Sequence, residues 1–579
     1  MKNPAVILAT LAVLLAPFAA VADPAAAPPA ARVYFGGDIL TMRGDTPEYV
    51  PALVVRNGRI AYVGAKKTAL QLAGKSAQKI DLRGRTLLPG FVDGHSHLLM
   101  YAESLEQANL APPPVGKVQS IADILQALRE IKARLALDDQ AVLVGFGYDP
   151  DALAEQRHPT AADIDAVFPT NPVVLKHVSG HMMVANSAAL RLAGISAETP
   201  NPPGGVILRI PGTREPAGLL QEMAVLPLVV ALQQSVPMAK QLELLKRAQQ
   251  DYAGYGLTTA NEGAVFSPAQ MQLLGEAAHR GQLMLDVVAL PLFMMAKDVV
   301  GTGRVDWGVY HDHLKYAGLK LVLDGSVQGK TAFLTHPYLT PVPGCTRDCR
   351  GFPGISQDTV NQLLLLAYAN NVQVFAHCNG DAAVDMMVAG HQYAEQKLGQ
   401  SRRDRRTVIV HSQAMRREQL DAYVKFGFFP TFFTNHTYYW GDVHILNLGL
   451  ERAASISPTH TAAAKGLRFA NHTDTPVTPP DQLFLLWTSV NRVSRTGQVV
   501  GADERIDAYR GLQAITIDGA YEYRDEAVKG TLEAGKLADL VILDRNPLKV
   551  AAMEIKDVRV LETVKEGRTV YVRRADSRE

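Results

Sequence analysis

Apolar and polar positions fall into two textures along the chain, one at its ends and one in its middle. Near the start, "RVYFGGDILTM" and "ALVVRNGRIAYVG" read as short strands, and Asn57-Gly58 between apolar runs is a hairpin signal. The far end repeats this texture. "DLVILD" and "VRVLETVKEGRTVYVRR" read as strand, turn, strand, with Glu566-Gly567 at the tight turn. Two β-rich ends around a long middle predict one small β domain built from residues 32–86 and 525–575.

The middle differs. Apolar β-type runs such as "GLKLVLDGS" (318–326), "NVQVFAHCNGD" (371–381), "RTVIVHSQ" (406–413) and "GLRFANHTD" (466–474) alternate with helix-like stretches. In "DTVNQLLLLAYANN" (358–371), Leu363, Leu364, Ala367 and Tyr368 make one apolar side. Continuous apolar strands alternating with helices indicate a parallel sheet covered by helices. Length favours an α/β fold of the closed (β/α)8 TIM-barrel type over 87–524. The stretch from about 103 to 294 is too long for the opening of a plain barrel and holds Pro-rich connectors, "ETPNPPGG" among them. It is expected to be an inserted subdomain over the barrel mouth.

Composition narrows the classes. The 579 residues are 47% hydrophobic, enough for a large core, and the formal net charge of +1, without long basic blocks, gives no case for nucleic acid. The first residues have the form of a secretory signal: Lys2, an apolar run from Ala5 to Phe18, and Ala20-Val21-Ala22 before Asp23. The run is broken by Pro17 and is short for a span of about 20 residues, so cleavage after residue 22 is expected rather than a retained anchor. The expectation is an exported protein, periplasmic or secreted, with no membrane segment after cleavage. Of three cysteines, Cys345 and Cys349 flank "TRD" in a Pro/Gly-rich loop, and export allows either a small disulfide ring or two free thiols.

The residues able to carry chemistry sit in or at the ends of the apolar runs. "LLPGFVDGHSHLL" ends in His95 and His97, Lys320 lies inside an apolar strand, His377 ends "VQVFA", His411 ends "TVIV", and Asp474 follows "LRFANHT". Strand ends of a parallel barrel converge on one face, where active sites lie. Residues i and i+2 of an extended chain point the same way, so both imidazoles reach one ion. A lone histidine is more often structural. Several in-phase ionisable residues together favour a divalent metal, Zn²⁺ first, with Mn²⁺ or Fe²⁺ as alternatives. His181, His436 and His472 are second-tier candidates for a substrate pocket. Tyr438, Tyr439 and Trp440 suit an aromatic wall or plain core. Asp324 is expected to orient a neighbour, and Cys378 to point away from the site.

"PGFVDGHSH" resembles the first-strand motif of the amidohydrolase superfamily, and "GTLEAGKLADLVILDRNP" (530–547) resembles its C-terminal segment. "LKLVLDGSVQGKTAFL" (319–334), "SGHMMVANSAAL" (179–190) and "NHTDTPVTP" (471–479) resemble amidohydrolase family 3, the YtcJ-like group that includes N-substituted formamide deformylases. This resemblance implies two metal ions: His95 and His97 on the first, His377 and His411 on the second. It further implies that Lys320, as a CO₂-derived carbamate, bridges them. Asp474 would bind the first ion and act as general base toward a metal-activated hydroxide. The implied substrate is a small molecule with an amide, N-formyl, N-acyl or cyclic amide bond. An ester or lactone hydrolase on the same site, and a non-catalytic binding or regulatory barrel, are the competing readings. A homo-oligomer is compatible with all of them.

Overall fold

The computed structural model describes residues 31–233, 236–399 and 404–574; the leader expected at 1–22 lies outside them. Eight strands with mostly apolar, fully buried faces form the centre. They are β1 (Phe91–Val92), β2 (Leu257–Val265), β3 (Asp286–Pro291), β4 (Leu314–Tyr316, resumed as Gly318–Val322), β5 (Gln373–Gly380), β6 (Val408–Ala414), β7 (Phe429–Phe432) and β8 (Ala470–Asn471). Neighbours in this order pair in parallel from β1 to β4 and from β4 to β8. The two halves meet where Leu292 bridges Lys320. Closure comes from Asp474 N donating to His95 O (3.0 Å) and His97 N donating to Thr475 O (2.7 Å). The result is a (β/α)8-type barrel.

Helices lie outside it because their apolar stripes match the strands' outer faces. Helix Gln357–Ala369 is capped by Ser356, whose side chain accepts from Thr359 N, and buries Val360, Leu364, Ala367 and Tyr368. The barrel interior is filled by Val92, Val288, Leu290, Phe375, Val410 and Tyr523. The Tyr523 ring stacks on Phe375 and its hydroxyl donates to Asp93 O (3.1 Å), which seals the floor.

The two ends of the chain meet in one small β domain of eight strands. Thr86–Pro89 pairs antiparallel with Leu540–Leu543, which stitches the termini together. The turns at Asn57-Gly58 and Glu566-Gly567 have positive φ at both central residues, as hairpins of this length require. Pro89 ends the last N-terminal strand of this sheet, and Phe91 opens the barrel.

A separate six-stranded sheet spans residues 108–222 and is inserted between β1 and β2. It ends earlier than the sequence suggests: 257–265 and 286–291, inside the expected insertion, are barrel strands. The reason is chemical. "LTTANEGAV" is buried at all nine positions, yet it carries Thr258, Thr259, Asn261 and Glu262, which disguise it as a connector. Cys345 and Cys349 are disulfide-bonded. Among the described residues no helix is long and apolar enough to cross a membrane.

Barrel and β domain are joined below the floor by a buried ionic network. Lys565 Nζ lies 3.0 Å from Asp286 and 3.1 Å from Asp539; Lys529 also meets Asp286; Lys315 Nζ donates to Asp525 (2.6 Å). Asp286 accepts from His313 as well (2.7 Å). The donor atoms of Asp286, His313 and Glu566 come within 4.8 Å of one another, but the two lysines already supply the positive charge there. Removing one partner of a buried ion pair leaves an uncompensated charge. Lys565→Met is therefore expected to cost about 3–5 kcal/mol, read by urea unfolding followed with tryptophan fluorescence. A loss below about 1 kcal/mol would mean that Lys529 alone balances the network.

Candidate metal centre

The C-terminal ends of the barrel strands bring most of the sequence candidates together. β1 stops at Val92, and the chain bends at Gly94 and His95 rather than running on extended. Both imidazoles still face one point: their ring centroids are 5.0 Å apart, and Asp474 Oδ1 lies 3.7 Å from His95 Nε2 and 3.4 Å from His97 Nε2. Gly263 makes room for this bend, since a Cβ there would fall 2.1 Å from the His95 ring. Lys320 Nζ is hydrogen-bonded to His95 Nε2 at 3.1 Å. The donor atoms of His95, His411 and Asp474 all lie within 4.8 Å of one another.

Two of the imidazoles, those of His95 and His411, are oriented by a partner behind them. Asn261 Nδ2 is tied to Val288 O (3.0 Å), so its Oδ1 faces His95 Nδ1 at 3.2 Å and leaves Nε2 toward the centre. His411 Nδ1 shares a hydrogen bond with His472 Nε2 (3.0 Å), and His472 Nδ1 meets Thr431 Oγ1 at 3.4 Å. His472 is fully buried with both nitrogens engaged, and it orients His411 from behind. His411 and Asp474 adopt positive φ, 73° and 52°. At His411 the β5–β6 register shifts, and such a bulge re-aims a side chain.

His377 lies close by, 4.5 Å from His411 between ring centroids, but its nitrogens face Asp324 Oδ1 (3.2 Å) and Asn379 Nδ2 (3.2 Å). It lies outside the tight donor group of His95, His411 and Asp474. Asp324 is held by three backbone N–H groups, those of Phe333, Asn379 and Gly380. His436 stands one ring away: it contacts Phe433, which contacts His411 and His472, and its Nδ1 is shared with His444 (2.9 Å). His181 reaches in from the inserted sheet, its ring 5.0 Å from that of His377. Cys378 packs into the core between barrel and helices.

Sequence reasoning passed over Asn261, Glu262 and Glu222. Glu262 accepts from Leu99 N (2.6 Å) and lies 3.9 Å from His97 Nδ1. A buried acid within a strand is the same signal that exposed Lys320. It was masked because 257–265 reads as part of the insertion.

Electrostatics favour a cation here. Burial, helped by Lys320 and the neighbouring rings, pushes His95, His377 and His411 well below the ordinary histidine range, so they are neutral. Burial brings Lys320 down to about 8. Burial alone would raise Asp474, but its contact with His97 and the charges of His97, His472 and Lys320 hold it below the usual carboxylate range. Asp474 Oδ1 and His97 Nδ1 are buried without a hydrogen-bond partner. Neutral imidazoles, an ionised carboxylate and unsatisfied lone pairs suit a divalent metal.

A cavity of about 740 Å³ lies between the inserted sheet and the barrel rim. Its wall includes Thr475 and Pro476, directly after Asp474, Tyr101 in the helix that follows His97, and Tyr439 and Trp440. Trp440 Nε1 donates to the buried Asp149 of the insertion (2.9 Å).

The amidohydrolase family model matches residues 78–571. The chain is 28% identical over 534 residues to the N-substituted formamide deformylase of Arthrobacter pascens, covering 90% of this chain and 95% of that protein. Its fold is similar to an uncharacterized metal-dependent hydrolase from Pyrococcus horikoshii, with TM-score 0.71 and 24% identity over 90% of this chain and 99% of that one. A second such hydrolase, from Pyrococcus furiosus, aligns with TM-score 0.67 and 24% identity over 90% of this chain and all of that one. The chain belongs to the amidohydrolase family and is a hydrolase of carbon–nitrogen bonds.

Proposed function

We propose that this is an exported amidohydrolase that uses a divalent metal to hydrolyse an amide, N-formyl, N-acyl or cyclic amide bond of a small molecule. The observation that carries the reading is the convergence of His95, His97 and His411 with Asp474 and Lys320 at the barrel's strand ends. His95, His97 and Asp474 would hold one ion, and His411 with His377 a second. Zn²⁺ suits this set, with Mn²⁺ and Fe²⁺ as alternatives. A bound ion of this kind lowers the pKa of coordinated water to about 7 and polarises a carbonyl oxygen.

The chain's own groups supply positioning and proton transfer. Lys320 is fully buried with His95 as its hydrogen-bond partner, and a carbamate formed on it with CO₂ would add an anionic oxygen ligand to the centre. The free Oδ1 of Asp474 takes the proton of the attacking water and then passes it to the leaving nitrogen. Asn261 and His472 hold the imidazoles of His95 and His411 in register. Val178, Phe433, Tyr439, Trp440 and Val477 pack into an apolar cluster beside the centre and limit water there. The export part of the reading rests on the apolar, Ala-x-Ala-ended leader.

Removing the base tests the reaction directly. Asp474→Asn is expected to lower kcat by about 10²–10⁴-fold on whichever N-formyl or N-acyl amine the wild type hydrolyses. A metal-loaded wild type that turns over no member of an N-formyl, N-acyl and cyclic amide panel would sink the reading. Matched esters in the same panel decide between amide and ester hydrolysis. The bridge has its own test. Lys320→Ala should lose one of two bound ions, measured by elemental analysis, and most activity, with partial recovery in propionate. Full activity at unchanged metal content would remove Lys320 from the centre.

A further inference from the structure

The inserted sheet contributes more than a cover. His181 follows the strand Val173–His177, and Glu222 ends the strand Pro216–Glu222. The register Met183 opposite Leu220 and Met182 opposite Gln221 carries on one step, so that Glu222 N donates to His181 O (2.8 Å). The side chains repeat the pairing: Glu222 Oε2 lies 2.8 Å from His181 Nδ1. Among the described residues the His181 ring makes no other hydrogen bond, and the ring stands beside His377.

Glu222 sits at high cost. Its backbone has φ 52° and ψ −125°, a conformation that L-residues rarely adopt and that costs about 1–3 kcal/mol. Its Oε1 is buried with no hydrogen-bond partner, a further penalty of about 1–3 kcal/mol. Glycine would relieve the first and an apolar side chain the second. The barrel also yields space to this carboxylate, because a Cβ at Gly325 would fall 2.1 Å from Oε1. Strain, desolvation and a reserved gap all serve one contact, the clamp on His181 Nδ1.

We propose that Glu222 is a positioning residue that holds His181 by Nδ1, so that Nε2 of that ring meets the scissile amide group beside His377. The inserted sheet thereby completes the active site. This rests on the amide-hydrolase reading above, and the test separates the two.

His181→Ala, Glu222→Ala, Glu222→Gln and the double alanine variant are compared with wild type in three ways. These are kcat and KM on an N-acyl amine that wild type hydrolyses, metal per chain, and calorimetric binding of a phosphonamidate mimic of the tetrahedral intermediate. Each alanine variant should lose about tenfold to a hundredfold in kcat, with KM within about threefold. Mimic binding should weaken by the same factor at unchanged metal content. The double variant should be no worse than either single one, because the two residues act as a unit. Glu222→Gln, which still accepts from Nδ1, should recover most of the loss. Additive losses, a fall in metal content, or unchanged kcat and mimic binding would overturn the proposal. A wild type that neither binds the mimic nor hydrolyses any amide removes the hydrolase reading itself, and the clamp with it.

Discussion

Two backbone hydrogen bonds, Asp474 N to His95 O and His97 N to Thr475 O, hold the candidate centre in being. They are the seam where a curled sheet closes on itself, and a closed sheet must pair its last strand with its first. That necessity sets residues near 95 against residues near 474, although most of the chain separates them. The seam is riveted by Asp93, which accepts from His95 N (3.2 Å) and from the Thr473 hydroxyl (2.6 Å). Asp474 turns through positive φ because its amide must reach the His95 carbonyl while its carboxylate faces the imidazoles. Whatever loosens the seam also separates the donors.

The two ends of the barrel solve opposite electrostatic problems. Below the floor, Lys315, Lys529 and Lys565 meet Asp286, Asp525 and Asp539, and charge is balanced within the protein. At the mouth, neutral imidazoles and one carboxylate leave lone pairs unspent. A protein interior tolerates such groups when a ligand from outside satisfies them. The floor is thus built for permanence and the mouth for occupancy, and the packed layer around Tyr523 keeps the two apart.

Much of this arrangement was legible in the sequence because its signals were local. A His-x-His pair after an apolar run, a lysine inside a strand, and histidines at the ends of two others each stand out against apolar neighbours. Their common position at the ends of parallel strands then pointed to one face. What stayed hidden depends on pairing across distance. The role of Glu222 exists only through the register that sets it opposite His181, and no periodicity in 216–222 announces it. The contact of His472 with His411 likewise joins residues 61 positions apart and leaves no local signal. β2 was absorbed into the insertion because the polar residues that make it useful, Asn261 and Glu262, also make it look unlike a core strand.

The pairing of Thr86–Pro89 with Leu540–Leu543 has a temporal meaning. The strands between Arg32 and Pro89, made before the barrel, belong to a sheet whose remaining strands are made last. Five strands of that sheet wait, with an unpaired edge, while the whole barrel and its insertion are synthesised. Unpaired strand edges are the sites where nascent chains associate wrongly. The order of assembly therefore runs against the order of synthesis: the β domain, although its first strands precede the barrel, can be finished only after it.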